Sequence, residues 1–400
     1  MTVCRVCKES AFAGRLDLGL QPVSNRFPSS LTESEYCHPF VVAVCANCGL
    51  VQLEDPMPAD EVRPRVDWIV YNEPELHLDD LTSRVVQLPD FPEEANVLGV
   101  SRYDEPALRR LQAACAARVR ILSPREDFGI TAPNAGIETL QHRLTKASAD
   151  AIASRQGRAD LVIARYILEH AHDPVGFLAN LRRLAVPGGF VVVEVPNATV
   201  SLQRGEYGTL WEEHVCYFTP ETLRGCLAAA GLTPTFIHSF PCAGEDALVA
   251  VCRVPDASAG PEVVEARAVD EVERALGFLR GFAERKRAER AYFTRESRRG
   301  RIALLGAGHA TCAFINLFQL AEFISLVIDD NPKKQGLFMP GSRLPIRGSA
   351  ALQTENIKLC LMGVRPEIED SIFAKNPDFL AIGGEFASLH AGSRYARRAA

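Results

Sequence analysis

The segment 210–220, with the sequence L-W-E-E-H-V-C-Y-F-T-P, places a carboxylate directly beside an imidazole at Glu213 and His214. Its bulky apolar residues are expected to shield both side chains from bulk water. Burial and a nearby carboxylate shift the pKa of an imidazole in opposite directions, so a pair of this kind can be tuned to take up protons near neutral pH. The alternative is a structural pair in which the glutamate orients a half-buried histidine, because ionisable pairs are commonly structural.

Four of the twelve cysteines form two C-x-x-C pairs, Cys4 with Cys7 and Cys45 with Cys48. In a reducing compartment, paired knuckles of this kind favour tetrahedral coordination of zinc, with two sulfur atoms from each knuckle. Four thiolates leave no open coordination position, so the zinc would be structural rather than catalytic. The alternatives are two unrelated thiol pairs, or competition from residues 37–38, Cys-His, which lie between the knuckles.

The composition is that of a globular chain with several domains, since 400 residues, 47% of them hydrophobic and 24% charged, can form more than one core. A net charge of −6 and a pI near 5.9 argue against a general nucleic-acid surface. The N-terminus lacks the pattern of a signal peptide, and no apolar run approaches the roughly 18 residues of a membrane helix. We therefore expect a cytoplasmic protein with neither nucleic acid nor membrane as a partner.

The middle of the chain alternates apolar runs with amphipathic segments, which predicts a parallel sheet with helices on its faces. The predicted strands are 96–100, 118–122, 160–164 and 190–195, and the predicted helices are 106–117, 174–184 and 220–230. A Pro187-Gly188-Gly189 turn precedes the strand 190–195, and the runs 233–240 and 247–251 are expected to close the sheet as an antiparallel pair.

The last part of the chain predicts a second α/β unit. Its elements are a charged helical connector at 262–290, a strand at 301–305, a helix at 309–320 and a second strand at 324–328. A turn with Gly306 and Gly308 joins strand to helix, and the second strand ends in Asp329. This arrangement places a pyrophosphate at a helix N-terminus. The third glycine of that motif is replaced by Thr311, so a helix packed closely on a strand is the alternative.

Several stretches carry a family resemblance. Residues 159–174, A-D-L-V-I-A-R-Y-I-L-E-H-A-H-D-P, and 181–197, L-R-R-L-A-V-P-G-G-F-V-V-V-E-V-P-N, resemble the class I S-adenosylmethionine-dependent methyltransferase fold. Together with the cysteine knuckles, the L-D-L-G-L-Q-P-V-S-N-R-F segment at 16–27 and the stretch 328–346, they make nearly the whole chain similar to the three-domain nucleotide-sugar C-methyltransferases.

The resemblance implies an α/β protein with a small zinc module, a Rossmann-like methyltransferase domain and a second Rossmann-like domain at the C-terminus. The implied organisation begins with a zinc-binding module at 1–60, a linker at 61–95 and a methyltransferase-like domain at 96–260. A helical connector at 261–299 and a C-terminal α/β domain at 300–400 follow. We expect a nucleotide sugar to lie between the two α/β domains, while the oligomeric state is not predicted.

The resemblance also implies a reaction. A base removes the proton next to the ketone of a nucleotide-linked keto sugar, and the enolate takes the methyl group of S-adenosylmethionine. By motif position, His214 would be the base, Glu213 its orienting carboxylate and His170 a second polar group facing the substrate. In the C-terminal domain, the nucleotide would be held by Gly306, Gly308 and Lys334.

The sequence departs from the family at the cofactor. The turn after the first strand keeps one glycine, Gly99, where the family has several. It continues with Arg102 and Tyr103, whose bulk is expected to occlude the pocket for the methionine part of the cofactor. The acid that binds the ribose hydroxyls is replaced by Ser123. Two functions therefore stay open: a C-methyltransferase whose cofactor turn has drifted, and a non-methylating sugar-nucleotide-binding protein or isomerase that has lost S-adenosylmethionine.

Substrate residues differ as well. The family's tyrosine two positions before the glutamate is replaced by Trp211, so a hydroxyl that could hold the enolate oxygen is absent there. A second tyrosine is expected after the zinc module, and Tyr71 is the nearest candidate.

Overall fold

The structure is a computed structural model that describes residues 2–66, 68–69, 73–131, 136–242, 245–255, 268–390 and 392–397. Tyr71 lies outside the described residues, as does the start of the predicted helical connector. The chain divides into two compact units. The first unit is Met1–Leu16, Val41–Gln203 and Glu213–Gly277, and the second unit is Asp17–Phe40, Arg204–Glu212 and Phe278–Ala400.

The cysteine-rich part of the chain is built on short strands. Its elements are β1 Phe12–Pro22, β2 Cys37–Cys45, β3 Val51–Leu53, α1 Ala59–Val62 and α2 Leu78–Val86. β3 pairs antiparallel with β2, with Val42 opposite Leu53 and Val44 opposite Val51. Val42, Val44, Val51 and Leu53 of this pair are buried, whereas β1 alternates exposed and half-buried residues. Among the cysteine knuckles and their neighbours, Cys4, Val6, Cys45 and Leu50 pack in one hydrophobic cluster with residues of the main sheet.

The methyltransferase-like part begins at β4. Its strands are β4 Asn96–Gly99, β5 Arg118–Ile121, β6 Ala159–Arg165, β7 Ala185–Pro196, β8 Cys216–Tyr217, β9 Thr233–Phe240 and β10 Ala247–Arg253. Its helices are α3 Glu105–Cys115, α4 Pro124–Phe128, α5 Ile137–Arg143, α6 Lys146–Gln156, α7 Pro174–Leu184, α8 Ala198–Arg204 and α9 Pro220–Ala229. The predicted strands and helices are present with ends shifted by at most two residues, except that β7 begins at Ala185, about five residues before the predicted strand.

The main sheet has the strand order β5-β4-β6-β7-β10-β9, while β8 joins the sheet of the cysteine-rich part in the order β1-β2-β3-β8. β4 is parallel to β5 and β6, and β6 is parallel to β7. β10 runs antiparallel to β7 and β9, which confirms the predicted closing pair. β6 and β7 are buried along nearly their whole length, as their continuous apolar sequences require for strands covered on both faces.

The Pro187-Gly188-Gly189 turn was expected before β7, but the structure places these residues inside that strand. The pairing of β6 with β7 shifts register between Ala159 and Leu161, so the three residues form an irregularity within the ladder. Gly188 adopts a φ of +74°, and a Cβ on Gly189 would lie 2.8 Å from the Asp160 carbonyl oxygen. Glycine is therefore needed here for a bulged strand rather than for a turn.

The rest of the chain forms the predicted second α/β unit. Its elements are α10 Ala268–Ser297, β11 Arg301–Leu305, α11 His309–Phe318, β12 Ile324–Ile328, β13 Ile346–Arg347, α12 Ala351–Thr354, β14 Ile357–Met362, α13 Glu369–Lys375, α14 Pro377–Ala381 and β15 Glu385–Ser388. The strand order is β13-β12-β11-β14-β15, and every pair is parallel. The α/β fold class with two Rossmann-like sheets is confirmed.

Among the described helices, none combines the length and the apolar character needed to cross a lipid bilayer.

Candidate active site

The segment that carries His214 is held by backbone hydrogen bonds on two sides. β8 pairs with β3, which places Tyr217 opposite Val51. Just before β8, the Val215 amide donates to the Glu169 carbonyl at 2.7 Å, and the Val215 carbonyl accepts from the Leu53 amide at 2.9 Å. The cysteine-rich part and the turn after β6 therefore fix where Glu213 and His214 lie.

His170 and His214, predicted as partners in one site, are brought together by the structure. Their rings meet edge to face with centroids 4.9 Å apart. Glu169 joins them, since a carboxylate oxygen of Glu169 and ring nitrogens of both histidines lie within 4.8 Å of one another. Burial lowers the pKa of His170 to about 3 and raises the pKa of Glu169 well above its usual range. At neutral pH, His170 is therefore uncharged, and burial disfavours the ionised form of Glu169.

Glu213 belongs to a second group, with His170 and Glu138. The carboxylate oxygens of Glu138 and Glu213 and a ring nitrogen of His170 lie within 4.8 Å of one another. Both glutamates are 2% exposed. Burial raises the pKa of Glu138, with an opposing contribution from its hydrogen bond with Glu213. Burial and the short distance between the two carboxyl groups both oppose their simultaneous ionisation.

Glu138 and Glu169 were not among the predicted site residues. Glu138 lies in α5, between predicted strands, and nothing in its sequence context distinguishes it from a surface glutamate of a helix. Glu169 had a signal that could have been used, because it sits beside His170 directly after an apolar strand. The carboxyl end of such a strand is where parallel sheets place functional side chains.

The four predicted zinc ligands cluster in the first unit. Sulfur atoms of Cys4 and Cys48, and of Cys7 and Cys45, are each 3.5 Å apart, and all four lie within 4.8 Å of one another. Tetrahedral zinc with Zn–S bonds of about 2.3 Å requires sulfur separations of about 3.8 Å. The donor set and its spacing therefore fit zinc.

Both knuckles are tight turns that end in a left-handed residue. Lys8 follows the first knuckle with a φ of +63°, and Gly49 follows the second with a φ of +74°. The Lys8 amide donates to the Cys4 carbonyl and the Gly49 amide donates to the Cys45 carbonyl, both at 3.1 Å. Cys37, considered as a competing ligand, is exposed and is not part of the cluster among the described residues.

The turn after β4, where the family binds S-adenosylmethionine, is filled by the chain itself. Asp104 is fully buried, and its Oδ2 accepts from the amides of Val100 and Ser101, both at 2.7 Å. Its Oδ1 accepts from the Arg165 amide at 2.8 Å. A Cβ on Gly99 would lie 2.8 Å from Leu108 and 3.0 Å from the Asp104 side chain. Gly99 is thus needed for packing against its own loop and helix.

Arg165 fills the next position along the same edge of the sheet. Its guanidinium forms a bidentate ion pair with Glu194 at 2.5 and 3.1 Å, and it donates to the carbonyls of Tyr103 at 2.6 Å and Pro74 at 2.7 Å. Glu194 also lies 3.0 Å from the His77 Nε2. Burial alone would raise the pKa of Glu194, but the hydrogen bond with His77 and the charge of Arg165 outweigh it and lower the pKa.

At the end of β5, Ser123 stands where the family has the acidic residue that binds the ribose hydroxyls of the cofactor. Ser123 caps α4, where its Oγ accepts from the Glu126 amide at 3.2 Å. The nearby Asp127 accepts from the Ser123 amide at 2.6 Å and from Gln156 at 2.6 Å, and it pairs with Arg155. The donors of the turn and the carboxylates beside it are therefore engaged within the protein, and these residues do not fit S-adenosylmethionine.

The predicted role of Arg102 and Tyr103 in blocking this turn needs correction. Arg102 is exposed and donates to the Tyr103 hydroxyl at 3.3 Å, and Tyr103 is half-buried. The groups that fill the turn are Asp104 and Arg165, which the sequence analysis did not single out. Charged residues directly at the carboxyl ends of β4 and β6 were the signal that could have identified them.

In the second unit, Trp211 replaces the family's tyrosine. Its indole stacks on the His309 ring with centroids 4.5 Å apart, and its Nε1 donates to the Ser24 Oγ at 3.2 Å. Burial lowers the pKa of His309 to about 3. The neighbouring Glu212 is buried and accepts from the Ser24 amide at 2.6 Å. Trp211 is thus part of a packed cluster with the segment around Ser24.

The glycine turn of the second unit is also partly engaged. The Ala307 amide donates to Asp329 Oδ2 at 2.9 Å, and the Lys334 ammonium donates to the Ala307 carbonyl at 2.6 Å and to the same Asp329 oxygen at 3.1 Å. Gly306 has a φ of +101°, and its added Cβ would lie 2.6 Å from Val364. Gly308 faces open space.

A glycine after β14 provides the close packing of helix on sheet that the third glycine of this motif would provide. Thr311, which stands in its place, is fully buried in α11. A Cβ on Gly363, directly after β14, would lie 2.3 Å from the Thr311 Oγ1. Close packing of helix on sheet is therefore achieved by a glycine that follows β14, with the larger residue on the helix.

Three family models match successive parts of the chain. A zinc binding domain matches residues 4–62, a methyltransferase domain matches residues 81–235, and a C-methyltransferase C-terminal domain matches residues 262–389. A curated relative, the C-methyltransferase NovU of Streptomyces niveus, is 26% identical over 403 residues, which cover 96% of this chain and 94% of NovU. The predicted resemblance is confirmed over nearly the full length, and the chain has the domains of a methyltransferase.

Solved structures resemble the chain over less than half of its length. The 1,6-didemethyltoxoflavin-N1-methyltransferase of Burkholderia thailandensis, solved with 1,6-didemethyltoxoflavin and S-adenosylhomocysteine, is 17% identical with a TM-score of 0.31, over 46% of this chain and 80% of its own. An O-methyltransferase family protein from the same organism is 14% identical with a TM-score of 0.30, over 45% of this chain and 56% of its own. At these TM-scores, the structural similarities add no argument to that of the family models.

Proposed function

Since the chain belongs to the three-domain C-methyltransferases, we propose that it removes the proton next to the ketone of a nucleotide-linked keto sugar, with His214 as the base. The observation that carries the proposal is the pairing of His214 with a buried, uncharged His170 between buried carboxyl groups. His214 is itself only half-buried, so a substrate can reach its ring, while the edge-to-face contact with the buried His170 orients that ring for general base catalysis.

The carboxyl groups of Glu138 and Glu213 are proposed to stabilise the enolate. The enolate that forms carries negative charge on its oxygen, and the family's tyrosine hydroxyl is replaced by Trp211. Burial raises the pKa of Glu138, and a carboxyl group kept protonated by burial can donate a hydrogen bond to an enolate oxygen. We assign this donation to the Glu138–Glu213 pair, with His170 as the polar group between the pair and His214.

The nucleotide part of the substrate is proposed to bind the second unit, at the turn between β11 and α11. The open space at Gly308 leaves room for a ligand, and the N-terminus of α11 favours a phosphate group. Lys334 would first have to leave the Asp329 carboxylate or bind the phosphate alongside it. Gly308→Trp should then weaken binding of a nucleotide sugar, as measured by calorimetry, while an unchanged affinity would place the nucleotide elsewhere.

The cysteine cluster is proposed to hold one structural zinc ion through Cys4, Cys7, Cys45 and Cys48. When bound, zinc supplies a rigid cross-link and folding free energy rather than chemistry. Because β3 of the same part pairs with β8, this rigidity also reaches the segment that carries His214.

The base is tested by hydrogen exchange. Thymidine diphosphate-4-keto-6-deoxyglucose, a representative nucleotide-linked keto sugar, is incubated with the full-length protein in D2O, and deuterium next to the ketone is followed by NMR. The wild-type protein should catalyse the exchange, and His214→Gln should reduce it by about 100-fold or more, as expected for loss of a general base. His142→Gln, which changes an exposed histidine of α5, is the matched control and should leave the rate unchanged. Equal rates in wild type and His214→Gln would refute the assignment.

A further inference from the structure

The crevice in which this type of fold binds its ligand is identified by the strand order. The chain passes from β4 to β5 on one side and then places β6 on the other side of β4, so the order reverses at β4. In open α/β sheets, ligands bind outside the carboxyl ends of the strands at such a reversal. The relevant ends here are the turn after β4 and the end of β6 at Arg165.

In this chain, Asp104 bridges those two ends. One carboxylate oxygen accepts from the Val100 and Ser101 amides of the turn, and the other accepts from the Arg165 amide at the end of β6. These amides are the donors that a ligand at the reversal would use. Asp104 also closes a capping box with Ser101 at the start of the following helical turn, so its position is fixed by the local sequence.

Arg165 at the end of β6 and Glu194 in β7 occupy the strand ends next to Asp104. Both side chains are at most 1% exposed, and their bidentate contact joins the ends of β6 and β7. The Arg165 guanidinium also donates to the Tyr103 and Pro74 carbonyls, so the segments that contain Tyr103 and Pro74 are both hydrogen-bonded to this side chain. A ligand that took the place of these side chains would have to break a buried ion pair, which leaves a desolvated charge behind.

We infer that the crevice at the β4–β6 reversal is closed by Asp104, Arg165 and Glu194, so this protein does not bind S-adenosylmethionine there and returns its enolate to the ketone by protonation. This inference rests on the proposed function of His214. The activity is exchange, or inversion, of the hydrogen on the carbon next to the ketone, which is the chemistry of an isomerase.

The step balances without a methyl donor. His214 takes the proton, the C–H bond breaks, and its electron pair moves to form the enolate with charge on oxygen. The protonated imidazole exchanges its proton with water. A proton then returns to the same carbon, the C–H bond forms again, and the C=O bond is restored. Nothing is oxidised or reduced, and no co-reactant other than water is consumed.

Calorimetry with S-adenosylmethionine tests the closed crevice directly. The zinc-loaded, full-length protein is titrated with the cofactor up to millimolar concentration. No saturable binding is expected. Saturable binding at micromolar affinity that is lost in Gly99→Leu would overturn the inference, because the cofactor would then lie at the turn after β4.

The exchange assay in D2O is run with and without S-adenosylmethionine and separates the two claims. We expect deuterium to enter the sugar at equal rates in both cases, with no methylated product by mass spectrometry. A methylated product, with exchange slowed because the methyl group traps the enolate, would overturn the closed crevice and leave His214 as the base. No exchange and no methylation, together with no cofactor binding, would overturn the exchange activity and the proposed base, but not the closed crevice.

Discussion

Replacing Arg165 with methionine removes one partner of the most buried ion pair at the edge of the main sheet. Glu194 is fully buried, and the substitution takes away both of its guanidinium hydrogen bonds. Methionine fills a similar volume without charge, so the change is mainly electrostatic. Breaking a buried pair from one side costs about 3 to 5 kcal/mol, because the remaining charge is left desolvated.

The cost should depend on pH in a definite direction. In the wild-type protein, Arg165 and His77 hold the pKa of Glu194 below its usual value despite burial. A carboxyl group with a lowered pKa in the folded state stabilises the protein above its unfolded pKa, near about 4.3, and this stability is lost as the pH falls through the folded pKa. Without Arg165, burial dominates and the pKa of Glu194 rises. Arg165→Met is therefore most destabilising at neutral pH, and the difference shrinks as acid protonates Glu194.

Hydrogen exchange of backbone amides in β6 and β7 measures this local cost without assuming that the whole chain unfolds in one step. The opening free energy of these strands should fall by about 3 to 5 kcal/mol near about pH 7.5 and by less near about pH 5.5. Arg183→Met is the matched control, since Arg183 forms a half-exposed pair with Asp150 at 3.2 Å and should cost at most about 1 kcal/mol. A change no larger than the control at both pH values would refute the ion pair as a structural lock.

The remaining predictions concern the zinc ion, the cofactor turn and the second unit. Cys48→Ser should lower both the zinc content by elemental analysis and the thermal midpoint, and unchanged stability without zinc would contradict a structural metal. Asp104→Asn should destabilise the protein by about 1 to 3 kcal/mol in urea unfolding, because an NH2 group then faces a backbone amide donor. Burial raises the pKa of Asp104 to about 7, so wild-type stability should decline from about pH 4 to about pH 7, and this slope should be absent in the variant. Gly306→Ala should cost about 1 to 3 kcal/mol from its φ of +101° and the clash with Val364, whereas Gly308→Ala should be nearly neutral in the same thermal melt.

Much of the fold could be predicted from sequence because its strands are short apolar runs with clear ends. The strands Arg301–Leu305 and Ile324–Ile328 and the helix Pro174–Leu184 have the predicted bounds. Proline at the start of the helix and glycine turns between elements mark these ends locally. The Pro-Gly-Gly stretch was misplaced for the opposite reason. Its bulge depends on pairing between β6 and β7, which is not a local property of the sequence.

The site was predictable only where residues are adjacent in sequence or lie in a matched motif. His170 and His214 were paired through motif positions, and their ring contact follows from the hydrogen bond between Val215 and Glu169. Glu138 could not be found in this way, because a helix without a motif carries it into the site. The residues that fill the cofactor turn were missed because their importance depends on three strand ends meeting at one edge of the sheet.

The segment that carries His214 and the turn after β4 depend on different strands of the chain, apart from β6, which supports both. His214 is positioned by β8, and β8 depends on β3 of the cysteine-rich part and on the turn after β6. The cofactor turn depends on the ends of β4, β6 and β7, where Asp104, Arg165 and Glu194 bond to one another and to the backbone around them. The segment and the turn therefore both depend on the end of β6, because Arg165 ends that strand and Glu169, whose carbonyl accepts from the Val215 amide, lies in the turn that follows. Under the proposed function, removal of the substrate proton by His214 does not require a methyl donor, and without a donor the enolate is protonated by water.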